Sequence, residues 1–123
     1  MPGPRASLLA LASAATLALG GCSHTVGVSS NRTVHVALSE YRLNPSSISV
    51  GAGVLIIYVR NYGRLTHNLV ISENGQTTAS TEPLAPGQSA ELALDLAPGT
   101  YSMASTILSD QALGTYGTLN VTR

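Results

Sequence analysis

The sequence predicts an all-β domain, a sandwich of seven or eight short strands. Three observations lead there. Apolar residues alternate with polar ones over short stretches from Thr33 onward. Turn signals such as Asn74-Gly75 and Ala97-Pro98-Gly99 interrupt those stretches at regular intervals. After Cys22 no window carries a helical period, and the remaining length suits one domain rather than two.

Taken in order, the chain starts with a segment set apart from that domain. Arg5 precedes an apolar stretch from Ala6 to Leu19, followed by small residues, the pattern of a secretory signal peptide. The stretch is shorter than the roughly 20 apolar residues a spanning helix needs. Leu19, Gly20, Gly21 and Cys22 resemble a bacterial lipobox. This divides the chain into a lipoprotein signal peptide at 1–21, a flexible tether at 22–32 and a domain at 33–123. Lipid on Cys22 would hold the protein at the cell membrane, on its extracytoplasmic side. The tether, small and polar without period, fits a flexible linker.

Cys22 is the only cysteine, so no internal disulfide forms and the domain has no thiolate to offer. Basic and acidic residues number six each. Without Arg5 the balance is five against six, with no basic cluster of the kind that grips nucleic acid. Phe and Trp are absent, leaving Leu, Ile, Val and five Tyr as core material.

The strands follow. Val34, Val36 and Leu38 alternate with Thr33, His35 and Ala37, which sets His35 on the outer face. Asn44-Pro45 turns the chain into Ile48 and Val50. Val54–Val59 is a continuous apolar, β-branched run too short for a helix and suited to a central strand. His67–Ile71 reads as a strand stopped by Asn74-Gly75, a strong hairpin signal. Leu92, Leu94 and Leu96 share one face of the next strand; Tyr101, Met103 and Ser105 share a face of the one after. Leu119 and Val121 close the last.

The segment from Gly99, Thr100 and Tyr101 to Leu119 and Val121 resembles the copper-binding loop of the cupredoxins, the blue-copper electron carriers. With the opening Ser39–Ile48, the Gly53–Asn61 strand and His67-Asn68, in family order, the resemblance covers roughly residues 33–122. It implies a cupredoxin-like Greek-key β-sandwich. His67 matches the first histidine ligand of the family. Ser105 stands at the cysteine position, Asp110 at the second histidine and Thr115 at the axial methionine. Four residues separate Ser105 from Asp110 and four separate Asp110 from Thr115, a spacing within the family's range.

A blue-copper centre needs a thiolate, two imidazoles and a weak axial thioether. A serine hydroxyl stays protonated at neutral pH and ligates poorly. The resemblance therefore implies no type-1 copper and no electron transfer. A hydrogen-bonded His67–Asp110 pair, with Ser105, is expected to fill the former site. A Ser105–His67–Asp110 hydrolytic triad is not expected, since serine and aspartate would approach the same imidazole nitrogen while the other faces solvent. Met103 is expected to fill the core, and Tyr116 to cap the pocket.

The expected role is a structural or interaction module without catalysis, cofactor-free, bound to the membrane through Cys22 and to a protein partner. The alternative is a weak copper or zinc carrier using His67 and Asp110. Two protein ligands are fewer than zinc sites usually have. His24, third in the lipidated chain, is a minor copper(II) candidate beside a free amine. Asn31 and Asn120 fit the glycosylation pattern, which carries little weight behind a bacterial lipobox.

Overall fold

The structure is a computed structural model that describes residues 25–28 and 30–123; Cys22, His24 and the signal segment lie outside the described residues. Among the described residues, ten strands make two mixed sheets, with one helical turn beside them. The first sheet contains β1 (Thr25–Gly27), β4 (Ser47–Gly51), β6 (Val70–Glu73), β7 (Gln76–Ser80), β9 (Gly99–Ala104) and β10 (Tyr116–Thr122), in the order β1-β4-β10-β9-β6-β7. The second contains β2 (Thr33–Ser39), β3 (Arg42–Asn44), β5 (Gly53–Asn61) and β8 (Ser89–Leu96), in the order β3-β2-β5-β8.

Alternation decides which side chains enter the core. Val34, Val36 and Leu38 of β2 and Leu55, Ile57 and Val59 of β5 point inward from the four-stranded sheet. Ile48, Ile71, Met103, Leu119 and Val121 meet them from the six-stranded sheet. Met103 is fully buried core filler, as its phase predicts. Such aliphatic interdigitation is the main stabilising term, at about 25 cal/mol per Å² of apolar surface removed from water.

Several expectations change. Tyrosine scarcely builds the core: Tyr101 is buried, its hydroxyl donating to the Ala97 carbonyl at 2.8 Å, while Tyr41, Tyr58, Tyr62 and Tyr116 are exposed. β5 lies between β2 and β8, but its outer face is open, with Val54 exposed. β1 lies within the stretch expected to be a flexible tether and pairs in parallel with β4. Arg32 also docks there, donating to the Val54 and Gly51 carbonyls at 2.6 and 2.7 Å. β3 and the polar β7 carry too little apolar alternation to be read in advance. Asn74 and Gly75, both at positive φ, do make the predicted hairpin turn, between β6 and β7.

Candidate functional site

At one end of the sandwich, the loop between β9 and β10 folds back over the β5–β6 connection. His67 is not inside a strand, as expected, but in an isolated antiparallel bridge with Leu84. The two backbone hydrogen bonds of that bridge, 3.1 and 2.7 Å, fix the imidazole in a fully buried position. Asn61, at the end of β5, braces the same region by donating to the Leu65 and Leu84 carbonyls at 2.7 and 2.8 Å.

Ser105 follows β9 directly, and its N–H donates to the Thr115 carbonyl at 3.0 Å. One helical turn, α1 (Asp110–Leu113), starts at Asp110 and is too short to leave a period in the sequence. The Asp110 carbonyl accepts from the Gly114 and Thr115 N–H groups at 3.1 and 2.9 Å. Gly114 has φ 134°, and a Cβ there would sit 2.6 Å from the Tyr41 carbonyl oxygen. Glycine is therefore needed both for its backbone conformation and for the close approach.

These constraints bring three of the four predicted positions into hydrogen-bonding contact. Asp110 Oδ2 lies 2.6 Å from His67 Nδ1 and 2.6 Å from Ser105 Oγ, with all three residues buried. The serine hydroxyl has one hydrogen, and the short contact assigns it to Asp110. With Asp110 ionised, Nδ1 carries the hydrogen of the other bond. The connectivity is thus Ser105–Asp110–His67, with the carboxylate in the middle, unlike a nucleophilic triad in which histidine bridges serine and aspartate. Ser105 Oγ also accepts from the Asn68 N–H at 3.2 Å. Asn68 clamps the next residue, accepting from the Thr106 N–H at 2.7 Å and donating to Thr106 Oγ1 at 3.0 Å. Thr115 completes the set as a fully buried residue whose Oγ1 has no hydrogen-bond partner.

His67 Nε2 does not face solvent as expected. It is buried without a hydrogen bond, and Glu40 Oε1 lies 3.4 Å away. Glu40, in the turn between β2 and β3, accepts the N–H groups of Arg64 and Leu65 at 2.6 Å each. Desolvation raises its carboxyl pKa, but the hydrogen bonds from Leu65, from its own N–H and from Arg64, with the field of His67, outweigh this and hold it below the ordinary value. No motif or spacing marks Glu40, because its partners come from a loop 24 and 25 residues away. Tyr116 does not cap the pocket: strand alternation turns Thr115 inward and Tyr116 outward, 58% exposed. His35 is on the outer face as expected.

Two facing mixed sheets, with a loop between the last two strands folding over a buried histidine, define a cupredoxin-type sandwich. The family model described as a cupredoxin-like domain matches residues 8–116, and the chain belongs to that family. Its fold is similar to reduced auracyanin from the photosynthetic bacterium Roseiflexus castenholzii (TM-score 0.70, 22% identity, covering 79% of this chain and 100% of that one). It is also similar to rusticyanin from Thiobacillus ferrooxidans (TM-score 0.63, 17% identity, 79% and 81% covered). A third likeness, to the copper-containing nitrite reductase of Thermus scotoductus, covers 74% of this chain and 22% of that one (TM-score 0.57, 16% identity). At these identities the likeness concerns the fold. No curated protein sequence matches the chain.

Among the described residues, no group of three or more His, Cys, Asp or Glu side chains is placed to hold a metal ion. The donor chemistry agrees with that geometry. His67 Nδ1 and Ser105 Oγ both engage Asp110 Oδ2, and no thiol is present in the domain. These residues do not fit a type-1 copper ion, whose character depends on a thiolate bond.

Proposed function

We propose that this chain is a membrane-anchored, extracytoplasmic cupredoxin-like lipoprotein that acts as a structural or interaction module. In this reading the ligand frame has become a hydrogen-bonded lock, and the protein neither transfers electrons nor catalyses a reaction. The observation that carries it is Asp110 Oδ2 shared between His67 Nδ1 and Ser105 Oγ, each at 2.6 Å. A metal would have to break both bonds and strip a buried carboxylate from its partners, a change costing several kcal/mol.

The same end of the molecule offers a surface for a partner. Tyr41, Leu65, Leu108, Leu113 and Tyr116 are exposed around the loops that cover the lock, and Leu108 is 96% exposed. Contiguous apolar surface of this kind marks interaction sites on soluble domains. Lipid on Cys22, with the 1–21 segment removed, would place this module at the membrane surface. The 22–32 segment, part of which pairs as β1, would link the lipid to the 33–123 domain.

Calorimetric titration with copper and zinc, with visible absorbance in parallel, tests the reading. Neither stoichiometric heat nor colour is expected. Stoichiometric binding abolished by His67→Ala would replace it with the alternative, a weak metal carrier using His67 and Asp110. Mass spectrometry of the membrane-extracted protein is expected to find a lipid-modified Cys22. An intact leader or an unmodified cysteine would remove the anchoring part.

A further inference from the structure

The outer face of the four-stranded sheet carries a second, independent feature. β5 directs Val54, Ile56, Tyr58 and Arg60 away from the core, and Tyr62 follows the strand in the same phase. Strand register sets Tyr58 beside His35 and Arg60 beside Ala37. It also sets Ala37 beside Asn44 and Arg60 beside Ser89. Ala37, a methyl group between the longer Arg60 and Asn44, leaves a depression in the face. The resulting groove has a volume of about 450 Å³, lined by His35, Asn44, Pro45, Tyr58, Arg60 and Tyr62 among others. That volume lies within the range of small-ligand sites, about 300–1,000 Å³.

Three properties define the chemistry of its occupant. The His35 and Tyr58 rings stack with centroids 5.2 Å apart at 22°, giving one ordered wall. The Arg60 guanidinium lies 5.2 Å from the Tyr62 ring centroid, and the ring is 67% exposed. No acidic residue lines the groove, and among the described residues no carboxylate pairs with Arg60. The Asn44 amide and the hydroxyls of Tyr58, Tyr62 and Ser89 likewise have no hydrogen-bond partner within the protein among the described residues.

Arg60, held on Tyr62, presents a planar fork matched to a carboxylate. Flat aromatic surface accepts a ring, and an amide with three hydroxyls accepts further hydroxyl groups. A simple aromatic acid would use the first two features and leave the polar rim idle. A free phosphate would use Arg60 alone. We propose that this groove binds an acidic saccharide, a sugar ring bearing a carboxylate.

NMR titration of the full chain with trigalacturonate tests this, with the neutral galactose trimer, benzoate and inorganic phosphate as comparison ligands. Saturable amide shifts at Ala37, Asn44, Arg60 and Tyr62 are expected with trigalacturonate, and at least about tenfold weaker binding with each comparison ligand. Arg60→Ala and Ala37→Leu, the second filling the groove, are each expected to weaken binding at least about tenfold without altering the unfolding midpoint. Absence of saturable shifts, equal binding of any comparison ligand, or binding unchanged in both variants would overturn the proposal. Metal binding at the loop end has no bearing on these outcomes.

Discussion

The loop end and the outer face of the four-stranded sheet deploy polar side chains in opposite ways. At the loop end Asn61, His67, Asn68, Ser105 and Asp110 are buried, and their polar groups largely bind one another, nearby side chains or backbone; among the described residues, the fully buried side-chain atoms without a hydrogen bond are Thr115 Oγ1 and His67 Nε2. On the outer face Asn44, Tyr58, Arg60 and Tyr62 have polar groups that no protein hydrogen bond or ion pair occupies among the described residues. Buried polar groups carry a desolvation cost unless mutually satisfied, so a buried network tends toward closure. Exposed groups meet no such demand and stay available. At the loop end the polar groups are thus largely taken up by one another, and on the sheet face they are open to solvent.

The sharpest way to break that contrast is to open the lock. Asp110→Ala leaves a buried imidazole and a buried hydroxyl without their shared acceptor and is expected to cost about 3–5 kcal/mol in denaturant unfolding. A loss below about 1 kcal/mol would mean the cluster contributes little. Gly114→Ala attacks the loop that carries Asp110, forcing a Cβ against the Tyr41 carbonyl at φ 134°. It is expected to cost about 1–3 kcal/mol in the same assay.

Thr115→Val runs the other way. It removes a buried hydroxyl that has no partner while keeping the shape, so a gain of up to about 1 kcal/mol is expected. A clear destabilisation would reveal a partner for that oxygen.

Glu40→Gln probes the carboxylate beside His67 Nε2. Because the folded pKa lies below the ordinary 4.5, ionised Glu40 favours the folded state. That contribution is fully present above about 4.5 and is lost as pH falls through the lower folded value. The wild-type advantage over Glu40→Gln is therefore expected to be constant near neutrality and to disappear in acid. An advantage unchanged by acid would assign Glu40 a purely steric role. Arg60→Ala, on the open face, is expected to change stability by no more than about 0.5 kcal/mol. A larger loss would show that the outer face is also structural.

Much of this architecture is legible along the chain, because strand alternation and turn chemistry act over a few residues. The phases of β2, β8 and β9, the Asn74-Gly75 hairpin and the burial of Met103 follow from period alone. Spacing and resemblance single out His67, Ser105, Asp110 and Thr115, and the structure brings the first three into hydrogen-bonding contact. The missed elements left weaker local signals: β3 and β1 have three residues each, α1 is a single turn, and β7 is polar but for Ala79. The tyrosines misled because their aromatic bodies suit either a core or a half-open face.

By itself the sequence determined the all-β class, the absence of a thiolate from the domain and the order of residues along the ligand frame. Each of these depends on composition or on neighbours a few positions apart. Only the tertiary structure decided that one oxygen of Asp110 serves both His67 and Ser105 and that Glu40 lies beside the remaining imidazole nitrogen. It also decided that His35, Tyr58, Arg60 and Tyr62 share an open groove. Those outcomes depend on strand register and loop closure between distant segments, with His67 and Asp110 alone 43 residues apart. Such contacts exist only once the two sheets have packed.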